Sequence, residues 1–577
     1  MNQKQRLLFF IGWILALPAL AQDSSKAGPK FHISGTASVN YEHYGLTRRP
    51  EGWTGFSPRK PWNQLRFGFT PVMQFGKNFT LPFNINLSTT PTNFAGPYAG
   101  IGKQNIGQFI TNPMNSFGLN PKYKWAELQL GTQYLNYSDL STGDIGVFGA
   151  GIDLRPKGYF IKFFTGISQQ SVNFFTGPPA TTGAYKRTNW MASLGKMKEE
   201  KYEVSLNFVK AKDDSSSSLP PPPLVKPQEG FTMSIAAKTF FNKGWYARIE
   251  GAQSIYTKDL FLPLDSSKAS FKPFIEGHSS TVKDYAGDAA FGKKGKNLDI
   301  GLRLKYIGAG FQTPGYPFML PDRFDYTLNT RFNAWKNKAG TYKMNVSASA
   351  GQRVNNVSNT TLRAKQFIGN LNWFTQFDDH FSLNISFNNF GFQAPGGINP
   401  YGIKNVSNDF GINPSYTWGN DKVIHLLSMN YNYSKYDERD VLTGLLTSNN
   451  THTGLLTWVP TFLQKDLSPD FSFMYFYNSM PGFKLTLITF SSGLSMPALK
   501  KKLNLHGQLQ YNYSKTNSYT NNNNLIATLS ADWKLTKKLN WTSYISSNQF
   551  KYGNELVPNN ARYTESIIRT GFNYRFD

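Results

Sequence analysis

Apolar and polar residues alternate with a period of two along most of the chain. In Phe79 to Ser88, Phe79, Leu81, Phe83, Ile85 and Leu87 share one side, and Thr80, Asn84, Asn86 and Ser88 share the other. Phe381, Leu383, Ile385 and Phe387 repeat the pattern against Ser382, Asn384, Ser386 and Asn388. Leu298 to Tyr306 does so with Asp299, Arg303 and Lys305 between the apolar positions. A strand points successive side chains to opposite faces, so each segment has one greasy and one polar face, which a helical period does not produce. The segment Tyr563 to Asp577 is the clearest case. Ile568, Thr570, Phe572, Tyr574 and Phe576 oppose Ile567, Arg569, Gly571, Asn573 and Arg575.

The links between these segments alternate in length. Short ones are Gly76 to Asn78, Arg155 to Gly158, Lys198 to Lys201, Asn242 to Gly244, Asp378 to His380 and Gly419 to Lys422. Long ones are 45–62, 91–113, 173–186, 214–229, 258–277 and 438–451. Short turns at one end and long loops at the other describe an up-and-down membrane barrel. In lipid every main-chain N–H and C=O needs a partner within the protein, so such a sheet must close. We expect an all-β transmembrane antiparallel barrel of about 26 strands (24–26) over residues 31–577. The stretch 278–310 has the weakest pattern. Pro71, Pro121, Pro156, Pro414, Pro460 and Pro497 fit a rim or a bulge, because proline cannot donate a ladder hydrogen bond. Two of them lie in a repeat, Phe117 to Trp125 and Phe410 to Trp418, whose Tyr and Trp suit an interfacial girdle.

Composition agrees. Mean hydropathy is −0.42 and apolar residues make up 40% of the chain, so no helix of the mature chain is expected to cross a membrane. Aromatics reach 15%, with 47 Phe and 30 Tyr, which suits strands and girdles. With no cysteine, disulfides and thiolate metal sites are excluded. Lys4 and Arg6, then the apolar run Leu7 to Leu17, then Ala19-Leu20-Ala21 read as a signal peptide over 1–21. Cleavage is expected between Ala21 and Gln22, leaving 22–30 as a short periplasmic segment.

The leader, the alternating strands and the terminus Ile568, Phe572, Tyr574, Phe576 make the chain resemble Gram-negative outer-membrane β-barrel proteins. The resemblance is one of architecture and spans nearly all of the mature chain. It implies an outer-membrane location with both termini periplasmic, and contact with outer-membrane lipid. It also implies that Phe572, Tyr574 and Phe576 form the signal read by the barrel-assembly machinery. Asp577 after Phe576 departs from the usual aromatic ending. The nine or so residues before the first strand leave no room for the plug of a TonB-dependent receptor.

The formal charge of +26 points to anionic partners, of which nucleic acid is not expected for an exported chain. Arg66, Arg248, Arg303, Lys305, Arg331, Lys343, Arg353, Arg569 and Arg575 all fall on the polar side of their strands. Rings of such residues favour anions. Glu250, Asp299 and Asp325 share that side, so some cations should be paired. Loop 258–277 carries Leu260, Phe261, Leu262, Phe271 and Phe274, too apolar for a purely solvated loop. It is expected to constrict the lumen, pack on neighbouring loops, or dock a partner on the cell surface; a surface or periplasmic protein is a possible partner of the barrel as a whole.

No catalytic, metal or cofactor site is expected. His32-x-Ser34 and His278-x-Ser280 match the spacing of outer-membrane phospholipases, but spacing alone does not make a triad. Asp378-Asp379-His380 reads as turn chemistry. Two functions remain: a porin-like channel for small polar or anionic solutes, and a non-conducting barrel that anchors a surface secretion or adhesion complex. A 26-stranded lumen is wider than a porin's and would leak unless loops or a partner fill it.

Overall fold

Alternation becomes strand throughout. The computed structural model describes residues 31–51, 55–56, 58–89, 115–143, 145–174, 176, 182–334, 341–359, 363–394, 402–439, 443–517, 520–553 and 561–576. The signal-peptide assignment, Ala21 and Gln22, the segment 22–30 and the whole of loop 91–113 lie outside them. All strand segments belong to one antiparallel sheet. Asn63–Phe69 and Val72–Phe75 are two pieces of one strand, broken at Pro71, since both pair with Phe31–Arg49. Ser116–Leu119 and Lys122–Tyr123, broken at Pro121, both pair with Phe79–Ser88. The result is a closed barrel of 26 strands. Closure joins Phe31–Arg49 to Arg562–Phe576, in register from Gly35 opposite Phe576 to Arg49 opposite Arg562. Phe31 and Phe576 therefore lie at one rim, called here the near rim. The weak stretch 278–310 holds two regular strands, Thr281–Lys294 and Leu298–Ile307.

The two faces of the wall separate by chemistry. Ile235, Ile249, Leu302, Leu304, Phe473, Leu509 and Ile568 are exposed on one side, as an apolar band facing lipid must be. Near one end of that band Tyr416, Trp418, His425, Trp458 and Phe471 stack in a chain with ring centroids 5.1–5.9 Å apart. Toward the other end Tyr433 and Tyr477 flank His452, at 4.8 and 6.2 Å. About 8 residues separate His425 from Tyr433 on one strand. At a rise of about 3.4 Å and a tilt of about 40° they span roughly 21 Å, close to the ~25 Å apolar band between the aromatic girdles of such barrels.

Link lengths follow the expected alternation over the first two-thirds of the chain and then converge. The expected long loop 438–451 is instead a link of residues 440–445, because strands Val423–Arg439 and Leu446–Phe462 run far beyond the girdle. Farther on, Met480 and Phe483 bound a two-residue connection. The near-rim turns have an unusual feature: lysine occupies left-handed positions. Lys124, Lys157, Lys243, Lys500 and Lys501 have φ of 52°, 50°, 64°, 56° and 65°. Each costs about 1–2 kcal/mol relative to an unstrained residue, and glycine would avoid it.

Gly131 shows where the wall has no slack. It sits at φ +89° opposite Gly118, and an added Cβ would fall 1.7 Å from the Phe117 carbonyl oxygen. Gly131→Val should cost about 3 kcal/mol from this backbone position alone. The check is the temperature at which the SDS-resistant band converts to the unfolded one on a gel, which should fall.

Candidate functional site

On the inner wall, register aligns Glu250, Asp288, Lys305, Asp325 and Arg353 in one row across five strands. Arg248 and Arg303 both face Ala290, one row nearer the near rim. Their guanidinium groups converge on Asp288, at 3.0 Å from Arg248 and in direct contact with Arg303. They also hold Asp139, at 2.6 and 3.0 Å. Asp139 belongs to no strand. It comes from the link after strand Ala126–Leu135, which folds inward over the wall.

The same link is fixed at several other points. Glu250 accepts the main-chain N–H groups of Asp139 and Leu140, each at 3.2 Å. Ser138 shares a 3.0 Å hydrogen bond with Ser234. Leu140 is fully buried with Ala252, Ala286, Ile307, Phe311 and Met319, which contributes about 1.5–3 kcal/mol. Phe311 and Met319 come from a second inward link, 308–322. The two links pair: Thr142 bridges Gly315, the Gly143 N–H donates to the Gly315 carbonyl at 2.7 Å, and the Thr313 hydroxyl donates to the Ser141 carbonyl at 2.7 Å. The approach requires glycine, since a Cβ at Gly315 would meet the Ser141 oxygen at 2.2 Å. Beside it, Leu135, Val147, Phe164, Met191 and Val209 form a second apolar cluster on the inner wall. Tyr137 packs against that cluster, and burial pushes its phenol well above the ordinary range.

The nine basic candidates divide by pairing. Arg248, Arg303, Arg331 (to Asp299, 2.7 Å), Arg353 (to Asp325, 2.8 Å) and Arg569 (to Glu42) are neutralised. Arg66 donates to Gln64 at 3.1 Å, beside a cavity of about 390 Å³ also lined by Lys60, Glu42 and Arg569. Lys305 lines a cavity of about 450 Å³ with Asp139, Arg303 and Tyr316. Arg66, Lys305 and Lys343 make no ion pair among the described residues. Arg575 lies at the near rim, where its main-chain N–H donates to Lys538 at 2.8 Å. The lumen is therefore charge-laced, with a few free cations rather than a ring of them.

Loop 258–277 does not constrict the lumen. Ala269, Phe274 and Ile275 pack on Trp190, Phe208, Phe231, Met233 and Ile255. Phe231 and Met233 share the face of Ile235, and Ile255 shares that of Ile249, both more than 60% exposed. The loop thus straps the lipid-facing side near the far rim, with Phe274 stacked on Phe231 at 5.3 Å. Of the three residues expected to form the assembly signal, Phe572 is exposed on the lipid face, while Phe576 is buried against Phe69 (6.2 Å) and Tyr574 (5.0 Å).

The side chains of the His278-x-Ser280 motif are both turned to main-chain carbonyls. The His278 ring bonds the Leu262 carbonyl at 2.7 Å, and Ser280 bonds that of Asp259 at 3.0 Å. Asp378 accepts the N–H groups of His380 and Phe381 at 2.8 and 2.6 Å, which holds its carboxyl below the usual range and closes the turn. Register brings together one trio that spacing did not reveal. Ser495 lies 2.8 Å from His506 Nδ1, and Asp470 lies 4.0 Å from that same nitrogen. A relay needs the hydroxyl and the carboxylate on opposite ring nitrogens.

Closed topology, a lipid-facing apolar band and paired girdles make this a transmembrane β-barrel of the outer-membrane kind. No protein-family model matches the chain, and no curated protein does. Among solved structures it is similar to the translocation pore of the P pilus usher PapC, at 10% identity and a TM-score of 0.37, over 95% of this chain and 100% of that one. It is similar to the copper transporter OprC, at 8% identity and 0.39, over 95% and 82%. The ferric enterobactin receptor PfeA of Pseudomonas aeruginosa matches at 11% identity and 0.36, over 96% and 81%.

Proposed function

We propose that this barrel is a transport pore of the Gram-negative outer membrane, passing small polar solutes with a preference for anions. In this reading the leader 1–21 is cleaved after Ala21 and the near rim faces the periplasm. The barrel-assembly machinery then reads Phe572, Tyr574 and Phe576 during insertion. The observation that carries the reading is the inward docking of links 136–143 and 308–322. A 26-stranded wall encloses more space than a porin's, and a pore of that size needs its lumen narrowed by protein. Arg66, Lys305 and Lys343 then supply the anion bias, because Arg248, Arg303, Arg331, Arg353 and Arg569 are spent on carboxylates.

Purified protein in planar bilayers should give stable channels whose reversal potential in a salt gradient is shifted toward anions. The variant R66E/K305E/K343E should move that potential toward cations while the SDS-resistant band remains. A silent bilayer from protein that runs as a folded barrel would overturn the pore reading and favour an anchoring role. An unchanged reversal potential in the triple variant would refute the assignment of those three residues.

A further inference from the structure

The two rims differ sharply in charge. In the short near-rim turns lysine and arginine outnumber aspartate and glutamate, with Lys500, Lys501 and Lys502 consecutive in one turn and Lys537 and Lys538 adjacent in another. In the far longer links of the opposite rim the two signs nearly balance. The turns of one edge of the cylinder therefore carry a positive excess that the links of the other edge lack.

Backbone conformation gives a second, independent observation. The left-handed positions at Lys124, Lys157, Lys243, Lys500 and Lys501 suit glycine or asparagine. Lysine makes each turn less stable and adds a cation that is exposed to solvent. Turn geometry does not account for these residues, whereas a requirement for charge does. Ion pairing does not account for them either, since of these five only Lys501 meets a carboxylate among the described residues, Asp466 at 2.7 Å.

The third observation concerns direction. Lys196 and Lys293 lie over the rings of Tyr159 and Trp245 on the lipid-facing side, where phospholipid headgroups would reach them. Lys238, Lys294 and Lys343 are on the opposite, lumen-facing side of the same strand ends. A bilayer does not reach those, nor the turn tips that ring the pore mouth. A soluble polyanion lying across the mouth reaches both. We propose that the near rim is a docking surface for an acidic soluble polypeptide that covers the pore mouth.

The test uses the full barrel in nanodiscs of phosphatidylcholine, with fluorescent poly-L-glutamate as the probe and anisotropy as the readout. Binding should saturate and weaken steeply with added salt, because exposed charges beyond a Debye length are screened. The variant K124G/K157G/K243G/K500N/K501G should bind the probe at least about ten-fold more weakly. Each of its substitutions suits the left-handed backbone, so its SDS-resistant band should persist to the same or a higher temperature. Neutralising Lys212, Lys268 and Lys283 near the far rim should leave binding unchanged. Equal binding by the five-site variant and the parent would overturn the proposal. So would displacement of the probe by phosphatidylglycerol added to the nanodiscs, which would make anionic lipid the occupant.

Discussion

Asp139→Ala should loosen the inward link and raise the channel's mean conductance. The Asp139 carboxylate is shared between Arg248 and Arg303 and is more than a third exposed, so its loss is discounted from that of a fully buried pair to about 2 kcal/mol. That is roughly a thirty-fold change in the ratio of docked to free link. The link does not detach outright, because Leu140 stays in its cluster and Glu250 keeps its two N–H donors. Flickering between two conductance levels is therefore the expected record, not one enlarged pore. Two guanidinium groups lose a counter-charge, so anion preference should rise as well. A readout independent of conduction exists because the chain has no cysteine. Ser141 is fully buried in the docked link. A cysteine placed there reacts with a soluble maleimide only when the link opens, so its labelling rate follows the open population. That rate should rise about thirty-fold in the Asp139→Ala background. Equal rates in the two backgrounds would remove Asp139 from any latching role.

The wall was legible in the sequence and the latch was not, for a physical reason. Leu298 to Tyr306 announces its strand because one face must meet hydrocarbon while the other does not, and that constraint repeats every second residue. Above the girdle the constraint vanishes. Ser448, Asn449, Asn450 and Thr451 are polar on both faces, so the start of strand Leu446–Phe462 read as loop. The link around Asp139 carries no periodicity at all. Its meaning depends on residues 109 and 164 positions away, with Arg248 and Arg303 brought together only by the register of three strands. In loop 258–277 the apolar content was visible and the need for burial followed from it. Which side of the wall would bury it was not, since Phe231 and Ile255 become a platform only once the face of each strand is known. The same limit applies to the basic positions. Alternation places Arg331 and Arg353 on the polar side, but whether a carboxylate sits opposite is settled by cross-strand register, here Asp299 and Asp325.

Deleting residues 562–577 should abolish the folded barrel rather than weaken it. The strand Arg562–Phe576 is bonded on both sides, to Leu539–Lys551 and to Phe31–Arg49, along nearly its whole length. Without it the cylinder becomes an open sheet with two edges. Each unpaired N–H or C=O left in hydrocarbon costs several kcal/mol, and about half the groups along two strands would be exposed at once. No rearrangement of side chains offsets a penalty of that size, and closing the sheet with one strand fewer would put Phe31–Arg49 beside Leu539–Lys551 in parallel, since both run away from the near rim. Phe576→Ala is a milder change. It removes a ring buried against Phe69 and Tyr574 at the rim but leaves the ladder intact, and its cost is that of a large-to-small core substitution, about 3–4 kcal/mol. The truncated chain should therefore give no SDS-resistant band after refolding into detergent or lipid, whereas Phe576→Ala should give one that melts at a lower temperature. A heat-modifiable band from the truncated chain would mean that the seam between first and last strands is not what closes this barrel.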